Sequence, residues 1–226
     1  QEHLMTHIKA HKNMGLFITF EGGEGSGKST QIKLLKAYIC SLIPDVEIVI
    51  TREPGGTEVA EQIRDILVNG SADKLSPRAE TLLMIASRAE HIDRVILPAL
   101  RRGAIVLCDR FKDSSVVYQG LANNISKEEI DKIHEFALKS CEPDLTILLD
   151  ISAETGIKRA LDRNESDQRF EQKGDAFHQK IREGYLKLAA IYPERVKVIN
   201  ASQTVHSISD EIQQLIKPML MDIRHK

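Results

Sequence analysis

LFITFEGGEGSGKST, residues 16–30, is the stretch from which the rest of the chain can be read. Leu16–Phe20 is an apolar run of strand length that stops at glycines. Gly22-Gly23-Glu24-Gly25-Ser26-Gly27-Lys28-Ser29 fits the pattern G-x-x-x-x-G-K-S. Behind it, Ile32, Leu34, Leu35 and Ile39 recur at helical spacing. Strand, glycine loop and helix in that order make a phosphate cradle. Glycines let the backbone turn its N–H groups inward on an anion. The helix start adds partial positive charge. In such a loop Lys28 reaches the β- and γ-phosphates of a nucleotide, and the Ser29 hydroxyl ligates Mg²⁺. Thr30, next along, reads as a helix-surface or packing residue.

The loop does not name the reaction. A GTPase carries N-K-x-D for the base and usually D-x-x-G for its switch, and this sequence has neither. A large ATP-driven motor normally needs more chain than these 226 residues. What remains is a small phosphotransferase, with a phosphate or hydroxyl acceptor in place of water.

Working outward, strand and helix signals alternate. Apolar runs at Val46–Ile50, Ala104–Cys108, Leu145–Leu149 and Val196–Ile199 predict four further strands. Helices are predicted at Glu58–Leu67, stopped by Asn69-Gly70, and from Ser76-Pro77 toward Leu100, with Pro98 placed to bend or end the second. Others start at Ser126, with Glu129 as its capping-box partner, and near Ala153; another leads to Tyr192-Pro193, and the last spans Val205–Leu220. Apolar strands without alternation are buried on both faces, which indicates a mostly parallel sheet covered by helices on each side. The expectation is one three-layer α/β domain over residues 14–220. Residues 1–13 form a leading extension, flexible or appended, and residues 221–226 a tail.

Composition narrows the class. Hydrophobic content of 42% and charged content of 28% suit a globular domain. A net charge of −2 offers no basic excess for nucleic acid. No apolar run reaches the length of a membrane span. QEHLMTHIKAHKN at the start lacks a signal-peptide core. Its His3, His7 and His11 have no buried carboxylate or cysteine beside them and read as extension rather than as a metal site. Cys40, Cys108 and Cys141 are odd in number and far apart, as expected of reduced thiols in the cytoplasm. Each lies in or beside an apolar run and reads as core filler.

Two acids stand at predicted strand ends, Asp109 and Asp150. Both would open at the carboxyl edge of the sheet, where α/β proteins bind ligands. Asp109 is favoured for Mg²⁺ because Arg110, an anion-binding neighbour, follows it; Asp150 serves otherwise as a cap or a water-organising group. A second anion site needs arginine forks. Arg52 and Arg110 sit at strand exits, and Arg88 lies midway along the long helix, where a solvated surface arginine is the plain alternative. Met84, four residues before Arg88, shares its face. Ser114, Ser115, Tyr118 and Gln119 offer hydroxyl and amide groups near the acceptor, unless they merely begin an ordinary helix. ALDRNESDQRFEQKGD, residues 160–175, breaks the apolar period and carries Arg163 and Arg169, with Arg159 just before it. It is either a lid that closes over phosphates or a salt-bridged helical turn.

FEGGEGSGKSTQ, TREPGGT, SRAEH, DRFKDSSVVYQG, EPDLTILLD and DQRFE, in that order, resemble the thymidylate kinases over nearly everything after residue 14. TREPGG together with DRF…YQG is far more specific than the loop alone. The resemblance implies a P-loop nucleoside monophosphate kinase fold with a five-stranded parallel sheet. It implies transfer of the ATP γ-phosphate to dTMP with Mg²⁺, giving dTDP for dTTP synthesis, by a cytoplasmic homodimer. It places ATP on Glu24, Gly25, Ser26, Gly27, Lys28, Ser29 and Thr30, with Arg159 at the adenine or lid base. Asp109 and Ser29 attend the metal. Glu24, Arg52, Met84, Arg88, Arg110, Ser115, Tyr118 and Gln119 form the dTMP set, with Arg52 and Arg110 on the phosphate and Arg88 near the thymine carbonyl. Gly25 stands where one branch of the family has a catalytic arginine, so Arg163 and Arg169 of a lid at about residues 160–174 join Lys28 and Asp109 as the catalytic groups. Met84 departs from the family's phenylalanine, leaving Phe111 and Tyr118 as nearby rings. The competing readings are a kinase for another monophosphate or a deoxynucleoside, and a nucleotide-dependent interaction protein without turnover, which leaves the acceptor-edge arginines unused.

Overall fold

A computed structural model of the protein describes residues 15–71, 73–122, 125–138, 141–161 and 173–224. Five strands form one all-parallel sheet: β1 (Leu16–Glu21), β2 (Ile48–Arg52), β3 (Ile105–Asp109), β4 (Leu145–Asp150) and β5 (Val196–Asn200). Their order is β2-β3-β1-β4-β5. The apolar runs locate every strand, but each ends one or two residues later than the sequence predicts. The parallel ladder continues past the last apolar residue because a neighbouring strand is there to pair with. Asp109 is thus the last rung of β3, opposite Phe20 on one side and Arg52 on the other.

β1 lies at the centre and sends alternate side chains to the two faces. Leu16, Ile18 and Phe20 pack with Ile32, Leu35 and Ile39 of helix α1 (Lys28–Leu42). Phe17 packs on the other face with Val106, Cys108, Ile92 and Ile96. Each such side chain, fully buried, contributes roughly 1.5–3 kcal/mol. The carboxyl ends of β1, β2 and β3 therefore meet at one edge, beside a rigid core.

α2 (Glu58–Val68) is started by Thr57, whose side chain accepts from Ala60 N–H. α3 (Pro77–His91) is started by Ser76, which accepts from Ala79 N–H at 3.3 Å, with Pro77 in the first turn. The chain stays helical through a π turn at Ile92–Ile96 and α4 (Leu97–Arg101). Pro98 does not end it. Proline cannot donate the usual backbone bond, and the helix widens just before it, Leu97 N–H reaching Ile92 O.

DRFKDSSVVYQG is not ordinary helix either. A short α5 (Lys112–Ser115) passes into a second π turn, Val116–Ala122. α6 (Lys127–Leu138) carries the expected box, with Ser126 N–H donating to Glu129 and Glu129 N–H to Ser126 Oγ. α7 (Ala153–Leu161), α8 (Asp175–Ile191) and α9 (Val205–Arg224) complete the described chain. α9 runs past the expected Leu220, so residues 221–224 are helix rather than tail. Cys108 and Cys141 are buried, but Cys40 is exposed on α1, which corrects its reading as core filler; all three are free thiols.

Candidate active site

The loop after β1 is shaped by backbone that other residues adopt only under strain. Gly25 has φ +65°, and a Cβ there would lie 2.0 Å from the Gly156 carbonyl oxygen. A Cβ on Gly156 would in turn lie 2.4 Å from Glu24 O. Loop and α7 therefore touch backbone to backbone.

Inside the loop, Lys28 Nζ lies 3.4 and 3.3 Å from the Gly22 and Gly23 carbonyl oxygens and 4.0 Å from Asp109 Oδ1. Burial, and then the Arg110 charge, pull the Lys28 ammonium below its usual pKa, while Asp109, Glu24 and Glu21 pull it back up. Ser29 Oγ donates to Asp109 Oδ2 at 3.2 Å. Asp109, Lys28 and Ser29 are thereby brought together, as the sequence predicts. Asp150 stands apart, gripped by Arg182 through Nε and Nη2 at 2.7 and 2.9 Å. The Ser29 hydroxyl and Asp109 carboxylate fit Mg²⁺, which takes a few hard protein oxygens and leaves its other positions for water and phosphate.

Arg110 is, among the described residues, the non-glycine with positive φ, at 67°. Such backbone costs on the order of 1–3 kcal/mol and persists only where the surroundings hold it. Here its N–H bonds to Phe20 O. Its Nη2 donates to Glu24 Oε1 at 2.7 Å, and Nη1 donates to Gly22 O at 3.0 Å and Tyr185 Oη at 3.2 Å. The guanidinium also lies 5.1 Å over the Tyr118 ring. Burial opposes the Glu24 charge, but Arg110, Lys28 and the Tyr118 hydroxyl outweigh it and hold the carboxyl below its usual pKa.

A cavity of about 40 Å³ opens beside Arg110, lined by Glu24, Pro54, Arg64, Val68, Met84 and Tyr118 among others. Tyr118 is the ring available there. Phe111 is fully buried, edge-on to Phe17 at 5.0 Å, and does not line this cavity. Ser115 and Gln119 are buried behind the wall. Ser115 Oγ accepts from Arg88, and Gln119 Nε2 donates to Glu80. A larger apolar cavity of about 520 Å³, between α6 and α8, contains none of the predicted residues.

Arg88 is not a surface residue. It is 1% exposed, and its donors go to Glu53 Oε2 at 2.6 Å, Ser115 Oγ at 2.8 Å, Phe111 O and His134 Nε2. Burial, then Arg88 and Lys112, push the His134 pKa down to about 3, so the ring is neutral and accepts. Arg52 projects into solvent and pairs with Glu61 at 2.7 Å. Thr30 is exposed on α1, as its reading as a surface residue requires. Arg159 donates to Ala201 O. Arg163 and Arg169, like residues 1–13, lie outside the described residues.

Sequence reasoning missed Glu21, Tyr185, Arg64 and the Glu53–His91 pair. Glu21 closes an apolar strand and is fully buried. Burial, with Asp113 nearby, pushes its carboxyl up to about 7 against the Ser114 hydrogen bond and the Arg110 charge. An acid ending a buried strand just before a glycine loop was the available signal. Tyr185 falls at core spacing between Ile181 and Leu188, so nothing local marks it.

The family model for thymidylate kinase matches residues 20–212. Thymidylate kinase of Clostridium novyi (strain NT) is 44% identical over 206 residues, 91% of this chain and all of that protein. That of Caulobacter vibrioides is 48% identical over 202 residues, 89% of this chain and 96% of that protein. The crystal structure of thymidylate kinase from Ehrlichia chaffeensis superposes with a TM-score of 0.74 at 31% identity, covering 89% of this chain and 98% of that one.

Proposed function

The chain belongs to the thymidylate kinase family and is a phosphotransferase that acts on dTMP, and from that premise we propose the residues that carry the transfer. The observation behind the assignment is the meeting of two sets of groups at one sheet edge. Lys28, Ser29 and Asp109 stand on one side, and Arg110 with Glu24 on the other.

On this reading the amides from Glu24 to Thr30 and Lys28 bind the ATP phosphates. Ser29 and Asp109 hold Mg²⁺, which supplies positive charge to the phosphate oxygens when bound. Arg159 closes the adenine end from α7. Arg110, joined by Arg52 once it leaves Glu61, takes the dTMP phosphate. Met84 and Tyr118 flank the base. Glu24 lies near the sugar. Arg88, Ser115 and Gln119 back the base wall, Arg88 by fixing Glu53 beside Pro54. An acceptor phosphate is already nucleophilic, so no strong base is required. The protein places two phosphates in line and neutralises the group in transit. Arg163 and Arg169 complete that neutralisation from a lid.

The chain functions in the cytoplasm as a homodimer. Val59 and Ile66, seven residues apart on α2, are exposed, as is Leu82 on α3, which packs on α2. An apolar patch of this kind suits a second copy.

The test is ADP release from ATP and Mg²⁺ with dTMP, dUMP, dCMP, dGMP, AMP or thymidine as acceptor. Strong preference for dTMP is expected. Comparable turnover with another monophosphate would overturn the base-site assignment and leave the donor site standing.

A further inference from the structure

Glu21 is the last residue of β1 and has no place in the assignment above. Its carboxylate is fully buried. Among the described residues no cation hydrogen-bonds to it; it accepts from four neutral donors. Oε1 takes Phe111 N–H at 2.8 Å and Ser114 N–H at 3.3 Å. Oε2 takes the Ser114 hydroxyl at 2.7 Å and the Tyr185 hydroxyl at 2.9 Å. Those two hydroxyls lie 2.8 Å apart, and both face Arg110 Nη1, Ser114 Oγ at 3.5 Å and Tyr185 Oη at 3.2 Å.

A carboxylate buried at this cost needs a compensating role. Its hydroxyls donate toward Glu21 and turn their oxygen lone pairs to Arg110. With both hydroxyl protons directed at Oε2, their lone pairs are left for the guanidinium. Among the described residues the ion-pair partner of Arg110 is Glu24, which sits on the loop at the acceptor cavity. The Glu21 shell is built into β1, α5 and α8 and does not depend on the loop.

We infer that Glu21 is a positioning residue for acceptor binding. Through Ser114 and Tyr185 it holds the Arg110 guanidinium in place for the acceptor phosphate. The inference rests on the reading of Arg110 as the phosphate contact.

Steady-state kinetics on the full chain test both. The variants are Glu21→Gln, Tyr185→Phe, Glu21→Gln with Tyr185→Phe, and Arg110→Lys, with dTMP and ATP varied in turn. Arg110→Lys is expected to raise the dTMP KM at least about tenfold, because lysine lacks the fork. Glu21→Gln and Tyr185→Phe are each expected to raise the dTMP KM by about three- to tenfold, the scale of one lost buried hydrogen bond. The ATP KM is expected to stay within about twofold. The double variant should be little worse than the worse single one, since both changes cut one relay.

An unchanged dTMP KM in Arg110→Lys would sink the parent assignment. A large effect there with none in Glu21→Gln or Tyr185→Phe would sink the inference alone. Equal rises in both KM values would mean a general structural role and also overturn it. If Glu21→Gln fails to fold, Tyr185→Phe, which keeps the ring and its packing, decides the matter by the same measurements.

Discussion

Glu21 makes the protein's stability depend on pH in a stated direction. Its folded pKa of about 7 lies above the ordinary carboxylate value, so the native state binds more protons than the unfolded chain between pH 4.5 and 7. Its contribution therefore declines as pH rises through that window and is at its least favourable above it. The groups around it are Asp113, Arg110, Tyr185 and Ser114, with Arg195 and Lys28 further out. Chemical unfolding of the protein and of Glu21→Gln from pH 5 to 8 measures the effect. The stability of the unmutated chain relative to the variant should fall across the window by on the order of 3 kcal/mol. A constant difference would place the carboxyl pKa outside that window. Gly25 supports a second prediction. Gly25→Ala puts a side chain into left-handed backbone and against the Gly156 carbonyl. It should cost about 1–3 kcal/mol in a thermal melt and raise the ATP KM.

Elements were read from the sequence more reliably than their ends. The five strands are legible because β1, β3 and β4 are apolar on both faces, a pattern short strands share with little else. Their last rungs are not, because pairing with a neighbour, and not the residue's own polarity, carries Asp109 and Asp150 into the ladder. The two π turns are equally hidden. Pro98 announces a disturbance but not whether the helix stops or widens, and Val116–Ala122 contains no proline at all. Caps are the opposite case, since Ser76 and Ser126 both act where their spacing predicts. Ser76→Ala, far from the loop in sequence and exposed, should cost about 1 kcal/mol in a denaturant titration and leave kcat unchanged.

At the scale of the whole molecule, the candidate site gathers residues from β1, β2, β3, α1, α2, α3, α5 and α8, and its legibility varied with how local each contribution is. The loop and Asp109-Arg110 announce themselves in short motifs. Arg88 did not disclose that it is wholly internal, because a helix arginine facing Glu53 or facing solvent has the same spacing. Tyr185 reaches the site only through the fold. On the proposed homodimer, the exposed side chains of α2 and α3 predict that the unmutated chain will sediment as a dimer and Val59→Glu with Ile66→Glu as a monomer at the same concentration. An unchanged sedimentation coefficient would remove that patch from the interface. The backbone contact between the loop and α7 carries a further consequence, for the paths open to the sequence over time. Position 25 is closed to any side chain for as long as Gly156 stays where it is, and Gly156 is closed in return by Glu24. A cation cannot enter at position 25 by one substitution. It needs α7 to withdraw first, and that step by itself loosens the Arg159 end of the helix. The two glycines are thus epistatic, and a lineage that has adopted this joint is committed to placing any cation beyond Lys28 at a position other than 25.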